Sequence, residues 1–160
     1  MLFRSYSEGS VNLLSGATGK ILGNSLPLPG GHGGSNILAV HAPSNKQQFV
    51  IVGSVSPKGN STSLWAISVS DLLEKVRQPT KKIPGQPWGE HSPDPVSGFI
   101  SILKDTLILI KPLLTDLDGD RVKDVVFVIK ESSISLVSMN GKDLAVMWRM
   151  VVPSDASIHK

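Results

Sequence analysis

A chain of 160 residues, 40% hydrophobic and 18% charged, is long enough for one domain with its own core and too apolar to be disordered throughout. Its +3 charge comes from scattered lysines and arginines, only Lys81 and Lys82 being adjacent, and with 5% aromatics this excludes a basic, base-stacking face for nucleic acid. The absence of cysteine excludes a disulfide framework and thiolate metal or redox chemistry, and "MLFRSYSEGS" lacks the apolar stretch of a signal peptide.

In chain order, short β-type runs alternate with turn chemistry. "SVNLLSG" (10–16) and "GKILGNSL" (19–26) flank "GATG" and read as a hairpin. "NILAVH" (36–41), "QFVIVGSV" (48–55) and "SLWAISVS" (63–70) follow, and "DLLEKVR" (71–77) spaces Leu72, Leu73 and Val76 for one short helical turn. Between Gln78 and Gly98 five prolines, at 79, 84, 87, 93 and 95, remove ladder donors. The segment 78–99 therefore reads as a long surface connection between two repeat units, with Trp88 as its exposed contact. Strands resume with "ISIL" (100–103), "TLILIKPLL" (106–114), "DVVFVIK" (124–130), "SISLVSM" (133–139) and "LAVMWRMVV" (144–152). No apolar run approaches the roughly 20 residues of a membrane-spanning helix.

A weak internal repeat runs through these strands. "SVNLLSGATGKILGNSLPLP" (10–29) aligns with "SISLVSMNGKDLAVMWRMVVP" (133–153), each a strand, a glycine turn with lysine, a second strand and a closing proline. "NILAVHAPSNKQQFVIVGSV" (36–55) similarly matches "PLLTDLDGDRVKDVVFVIKE" (112–131). The class is all-β in a single domain, 1–160. Four-stranded units in series predict a partial β-propeller of about two and a half blades; a β-sandwich is the alternative.

"TDLDGDRVKD" is the one sharp motif. Asp116, Asp118, Asp120 and Asp124 follow a spacing that lets alternate carboxylates of a tight loop converge, and the Val122 carbonyl could add an oxygen. Calcium takes about six to eight such hard ligands. Arg121 stands where loops of this kind place a glycine at positive φ. The competing reading is a solvated turn closed by salt bridges, with Arg121 pairing Asp118 or Asp120 in place of an ion.

"PLLTDLDGDRVKDVVFV" resembles the FG-GAP blade of integrin-α-like propellers. Together with "LLSGATGKILG" and "SLWAISVSDLLEKV" it resembles the membrane proteins called family with sequence similarity 234. The resemblance implies an extracellular or lumenal propeller tethered by a single-pass helix, without catalytic activity. Asp116, Asp118, Asp120 and Asp124 fall on the calcium-ligand positions, and Arg121 departs from the pattern. A tethering helix and further blades are not among these 160 residues, so the expectation is a fragment of a larger protein or an incomplete relative of the family.

Other motifs carry less. "GGHGGS" (30–35) lacks the Lys-Ser/Thr of a phosphate loop. His32, His41, His91 and His159 have no metal-ligand spacing, and His91 with Glu90, Ser92 and Asp94 is a hydrolytic grouping only by proximity in sequence. Asn60 opens an "NST" glycosylation sequon in a polar turn. The expected function is a non-catalytic module that binds a protein partner, with a weak structural calcium loop. The alternative is an enzyme on a propeller scaffold, either a calcium-dependent hydrolase or a quinoprotein-like protein.

Overall fold

The computed structural model describes residues 2–6, 9–30, 32–44 and 46–153. Among these the chain is all-β apart from one helix, and its antiparallel sheets do not close on themselves. A first sheet holds β1 (Leu2–Tyr6), β2 (Ser10–Leu14) and β3 (Ile21–Pro27) in that order. A second meander runs through β4 (His32–Ser44), β5 (Gln47–Val55) and β6 (Thr62–Ser68), then α1 (Val69–Arg77), then β7 (Ile100–Ile108). A third runs through β8 (Leu113–Thr115), β9 (Asp124–Lys130), β10 (Ile134–Met139) and β11 (Val146–Val151). Two residue pairs, Leu107–Lys130 and Ile108–Ile129, join the second and third meanders into one eight-stranded sheet.

Why the units stack follows from β5. Phe49 and Ile51 enter one core, shared with Val125, Phe127 and Ile129 of β9 and Val137 of β10. Val50 and Val52 enter the other, with Val11, Leu13 and Leu26 of the first sheet and Leu72 and Val76 of α1. Successive side chains of a strand point to opposite faces, so a strand covered on both must be apolar without interruption. "FVIV" is such a run, and all four residues have no exposed surface. The two halves of the eight-stranded sheet contribute to one core, so that sheet folds back across the β7–β9 junction.

One six-residue loop occurs three times: Ser15–Lys20, Asp94–Phe99 and Asn140–Ala145. In each, the first N–H donates to the sixth carbonyl, and the fifth N–H donates to the first carbonyl. The first side chain accepts from the amides that follow: Ser15 Oγ from Ala17 and Thr18, Asp94 Oδ1 from Val96 and Ser97, Asn140 Oδ1 from Lys142. The fifth residue is left-handed, with Gly19 at φ 70°, Gly98 at 81° and Leu144 at 60°. Each loop ends one residue before the last strand of its unit, β3, β7 or β11.

This geometry revises the placement of the proline-rich segment. Residues 78–99 do not lead from one meander to the next, because β7 at their far end pairs with β6. They are an excursion inside the second meander, and their closing loop was obscured in sequence by prolines. Three further differences concern local structure. Residues 100–103 and 106–108 form a single strand through Asp105, whose φ of 49° accompanies a shift in register. The sequence pattern had not marked β1. Capping extends the helical turn to nine residues, because Ser68 Oγ accepts from the Asp71 N–H at 3.1 Å.

Candidate metal centre

The aspartate loop joins β8 to β9. Its backbone is curled by its own side chains: Asp116 Oδ1 accepts from Gly119 N–H at 2.8 Å and Oδ2 from Arg121 N–H at 2.9 Å. Asp118 Oδ1 accepts from Asp120 N–H at 3.1 Å, and Asp120 Oδ1 from Val122 N–H at 2.8 Å. The result brings one carboxylate oxygen each from Asp116, Asp118 and Asp120 within 4.8 Å of one another. Each carboxylate oxygen has two lone pairs, so accepting an amide leaves capacity for a hard cation. Gly119 takes φ 80° without strain, whereas Arg121 takes φ 71° with a side chain, at a cost of about 1–2 kcal/mol.

Asp124 stands outside this group. It is fully buried, its Oδ2 accepting from Leu117 N–H at 2.8 Å and its Oδ1 from Gly141 N–H at 2.9 Å. Its carboxylate therefore pins the loop to the rest of the fold, where the spacing had suggested a fourth ligand. Val122, the expected carbonyl ligand, is half-buried with its N–H held by Asp120.

The cation that pairs with the loop comes from elsewhere in the chain. Lys142 Nζ lies 3.1 Å from Asp120 Oδ2, and Asn140 Nδ2 donates to Asp118 Oδ2 at 3.3 Å. Arg121, the partner in the competing salt-bridge reading, makes none of the ion pairs among the described residues. The Val122 N–H and then Lys142 hold the Asp120 carboxyl below its ordinary range, and the hydrogen bond to Asp120 raises Lys142 in turn. The Asp120 N–H pulls the Asp118 pKa down, yet burial and repulsion from Asp120 and Asp124 leave it raised overall.

Behind the loop lies a buried polar junction at Gly141. Its carbonyl accepts from Trp88 Nε1 at 2.7 Å and lies 3.0 Å from His41 Nε2. Trp88 is stacked between His41 and Phe49, at centroid distances of 5.1 and 4.7 Å. At 1% exposure it belongs to the core, which overturns its reading as an exposed contact. Only glycine fits at 141, since an added Cβ would stand 1.9 Å from the Lys123 carbonyl oxygen. Burial lowers the His41 pKa, the Gly141 bond and Asp124 opposing that shift and Lys123 adding to it.

Asn60 lies exposed in the β5–β6 turn, its Oδ1 accepting from the Ser56 hydroxyl at 3.0 Å. The grouping around His91 is exposed, and Asp94 spends its carboxylate on the Val96 and Ser97 amides of the recurrent loop. Within "GGHGGS", Gly31 lies outside the described residues and β4 starts at His32. Sequence reasoning missed Asn140, Gly141 and Lys142; their available signal was the "NGKD" turn within the repeat. Comparison with family models, with curated proteins and with solved structures yields no match to this chain.

Proposed function

We propose that the chain is a non-catalytic protein-interaction module built from propeller-type meanders. In this reading it forms part of the extracellular or lumenal portion of a membrane-associated protein of the FG-GAP kind, similar to family with sequence similarity 234. The observation that carries the reading is the threefold recurrence of one loop ahead of the last strand in three stacked antiparallel units. A two-sheet sandwich has no layer covered on both faces, and β5 is so covered. Exposure of Asn60 suits a glycan at that turn and so suits the extracellular side.

Within this module the aspartate loop acts as a structural calcium clasp, with Asp116, Asp118 and Asp120 as the assembled ligands. Asp124 holds the base of the loop from behind. Ion binding displaces Lys142 from Asp120, so affinity belongs at the weak end, with Kd on the order of 10⁻⁴–10⁻³ M. Such a site fills outside the cell and stays empty in the cytosol. Calorimetric titration with calcium tests this on the full chain. Asp120→Ala abolishes binding, while Arg121→Gly and Lys142→Ala each tighten it, the first by removing backbone strain and the second by removing the competing ammonium. Silence from the native chain and from both tightening variants would show that the loop is a turn closed by Lys142.

A further inference from the structure

The third meander leaves one face only partly covered: Val126, Val128 and Leu136 along its middle are half-buried, and the side chains at its margins are exposed. Residues directly opposite across an antiparallel pair share a face, so the register gives its composition in rows. One row is Leu109, Val128, Leu136 and Met150. The next is Leu113, Val126, Ser138 and Trp148, in which the serine is fully buried. The third is Leu107, Lys130, Ile134 and Val152, which leaves Lys130 as the only charge. Leu113 is 57% exposed, Met150 54% and Leu109 42%. The opposite face of the same strands, with Val125, Phe127 and Val137, is core.

The strand β9 makes the point in sequence. "VVFVI" in β9 is as uninterrupted as "FVIV" in β5, and β5 is covered on both faces whereas β9 is fully covered on one. Uninterrupted apolar strands belong to sheets with two covered faces. Contiguous bare apolar surface beyond a few hundred Å² is uncommon on proteins that act alone.

We propose that a second copy of this chain covers the face, the two β8–β11 sheets packing against each other about a two-fold axis. β9, β10 and β11, about six residues long and about 4.8 Å apart, with Leu107, Leu109 and the short β8 along their edge, make a face of roughly 400 Å² in projection. Two such interdigitated faces bury on the order of 1,000 Å² of accessible surface, the threshold for a specific interface. Sheets pack in this way about 10 Å apart, with an isologous contact that closes at two copies. A rival contact is edge pairing at β11. Val152 N–H donates to Ile134 O, so by alternation Arg149 and Val151 turn their backbone groups outward. Edge pairing leaves the apolar rows uncovered.

Sedimentation velocity of the full chain across roughly 1–200 µM, a wide span because buried area does not set affinity, reads the assembly. The expected species has twice the 17.1 kDa mass. Leu109→Lys combined with Met150→Lys adds charge to the face outside the core, and returns the monomer with an unchanged circular dichroism spectrum. Arg149→Pro removes an outward N–H from the β11 edge and leaves the dimer intact. The proposal is overturned by a monomer at every concentration, by a dimer indifferent to the paired lysines, or by a dimer that Arg149→Pro alone dissolves.

Discussion

The His41 imidazole lies against Trp88, out of water, within hydrogen-bonding distance of the Gly141 carbonyl. Its folded pKa is below the ordinary value, so the unfolded chain takes up a proton at a pH where the native state does not. Stability is therefore intact above about 6.5 and declines as pH falls from there toward the lower folded value. Urea unfolding midpoints should drop between about pH 7.5 and 5.5, a window above the ordinary carboxylate range. His41→Gln, whose amide can still donate to Gly141, should flatten that decline; equal slopes in both proteins would place the titration elsewhere. Two other residues show the same trade between backbone and side chain. Leu144 and Arg121 both occupy left-handed positions, but Leu144 is buried, and about 1.5–3 kcal/mol of apolar burial offsets its strain. Arg121 is exposed and has no such compensation.

The helix α1 organises the proline-rich excursion, in which five prolines lack a backbone donor. Lys75 is 1% exposed, and its ammonium donates to the carbonyls of Pro79 at 3.0 Å, Lys81 at 2.8 Å and Val96 at 2.6 Å. All three protons of a buried lysine are thereby used, which is how a charge in the interior is made tolerable. Asp71 adds a second tie, its Oδ2 accepting from Gln86 N–H at 2.7 Å. Lys75→Met preserves much of the stem and strands three carbonyls. It should cost about 3–5 kcal/mol in urea unfolding and expose the backbone between residues 78 and 98 to limited proteolysis. A variant as stable and as protease-resistant as the native chain would mean that Ile83 and Trp88, the segment's own buried side chains, hold it without the lysine.

Among the described residues the two cores share the middle layer, β5 and β6, and they divide again between Phe99 and Ile100 at the start of β7. Phe49, Ile51, Leu64 and Ala66 face one core while Val50, Val52 and Ile67 face the other, so loss of either core undermines the same strands. Native-state hydrogen exchange should accordingly find its slowest amides in β5 and β6, exchanging near the global unfolding free energy. β11 and β3, with mostly exposed side chains, should exchange well before them. Comparable protection in β11 and β5, for dilute monomer, would contradict a stability hierarchy centred on the middle layer.

How much of this was legible in the sequence depends on the range of the physics involved. Period-two alternation and turn residues act over a few positions, and they placed most strands, the hairpins at 10–29 and 133–153, and the curled loop of Asp116, Asp118 and Asp120. The left-handed demand on Arg121 was also local, and its φ of 71° agrees with the reading. Contacts between distant segments followed other rules. Lys142 displaced Arg121 as partner of the loop because the β10–β11 turn folds over it, some twenty residues away in sequence. Asp124 became a buried anchor because the Gly141 amide arrives at its carboxylate. Trp88 left the surface because an aromatic side chain beside His41 and Phe49 is better stacked than solvated, despite its proline-rich surroundings. The excursion 78–99 lies inside a meander because β6 and β7 pair across it. Local sequence determines which conformations each segment can adopt; which segments meet is decided by the burial of apolar faces, a property of the whole chain.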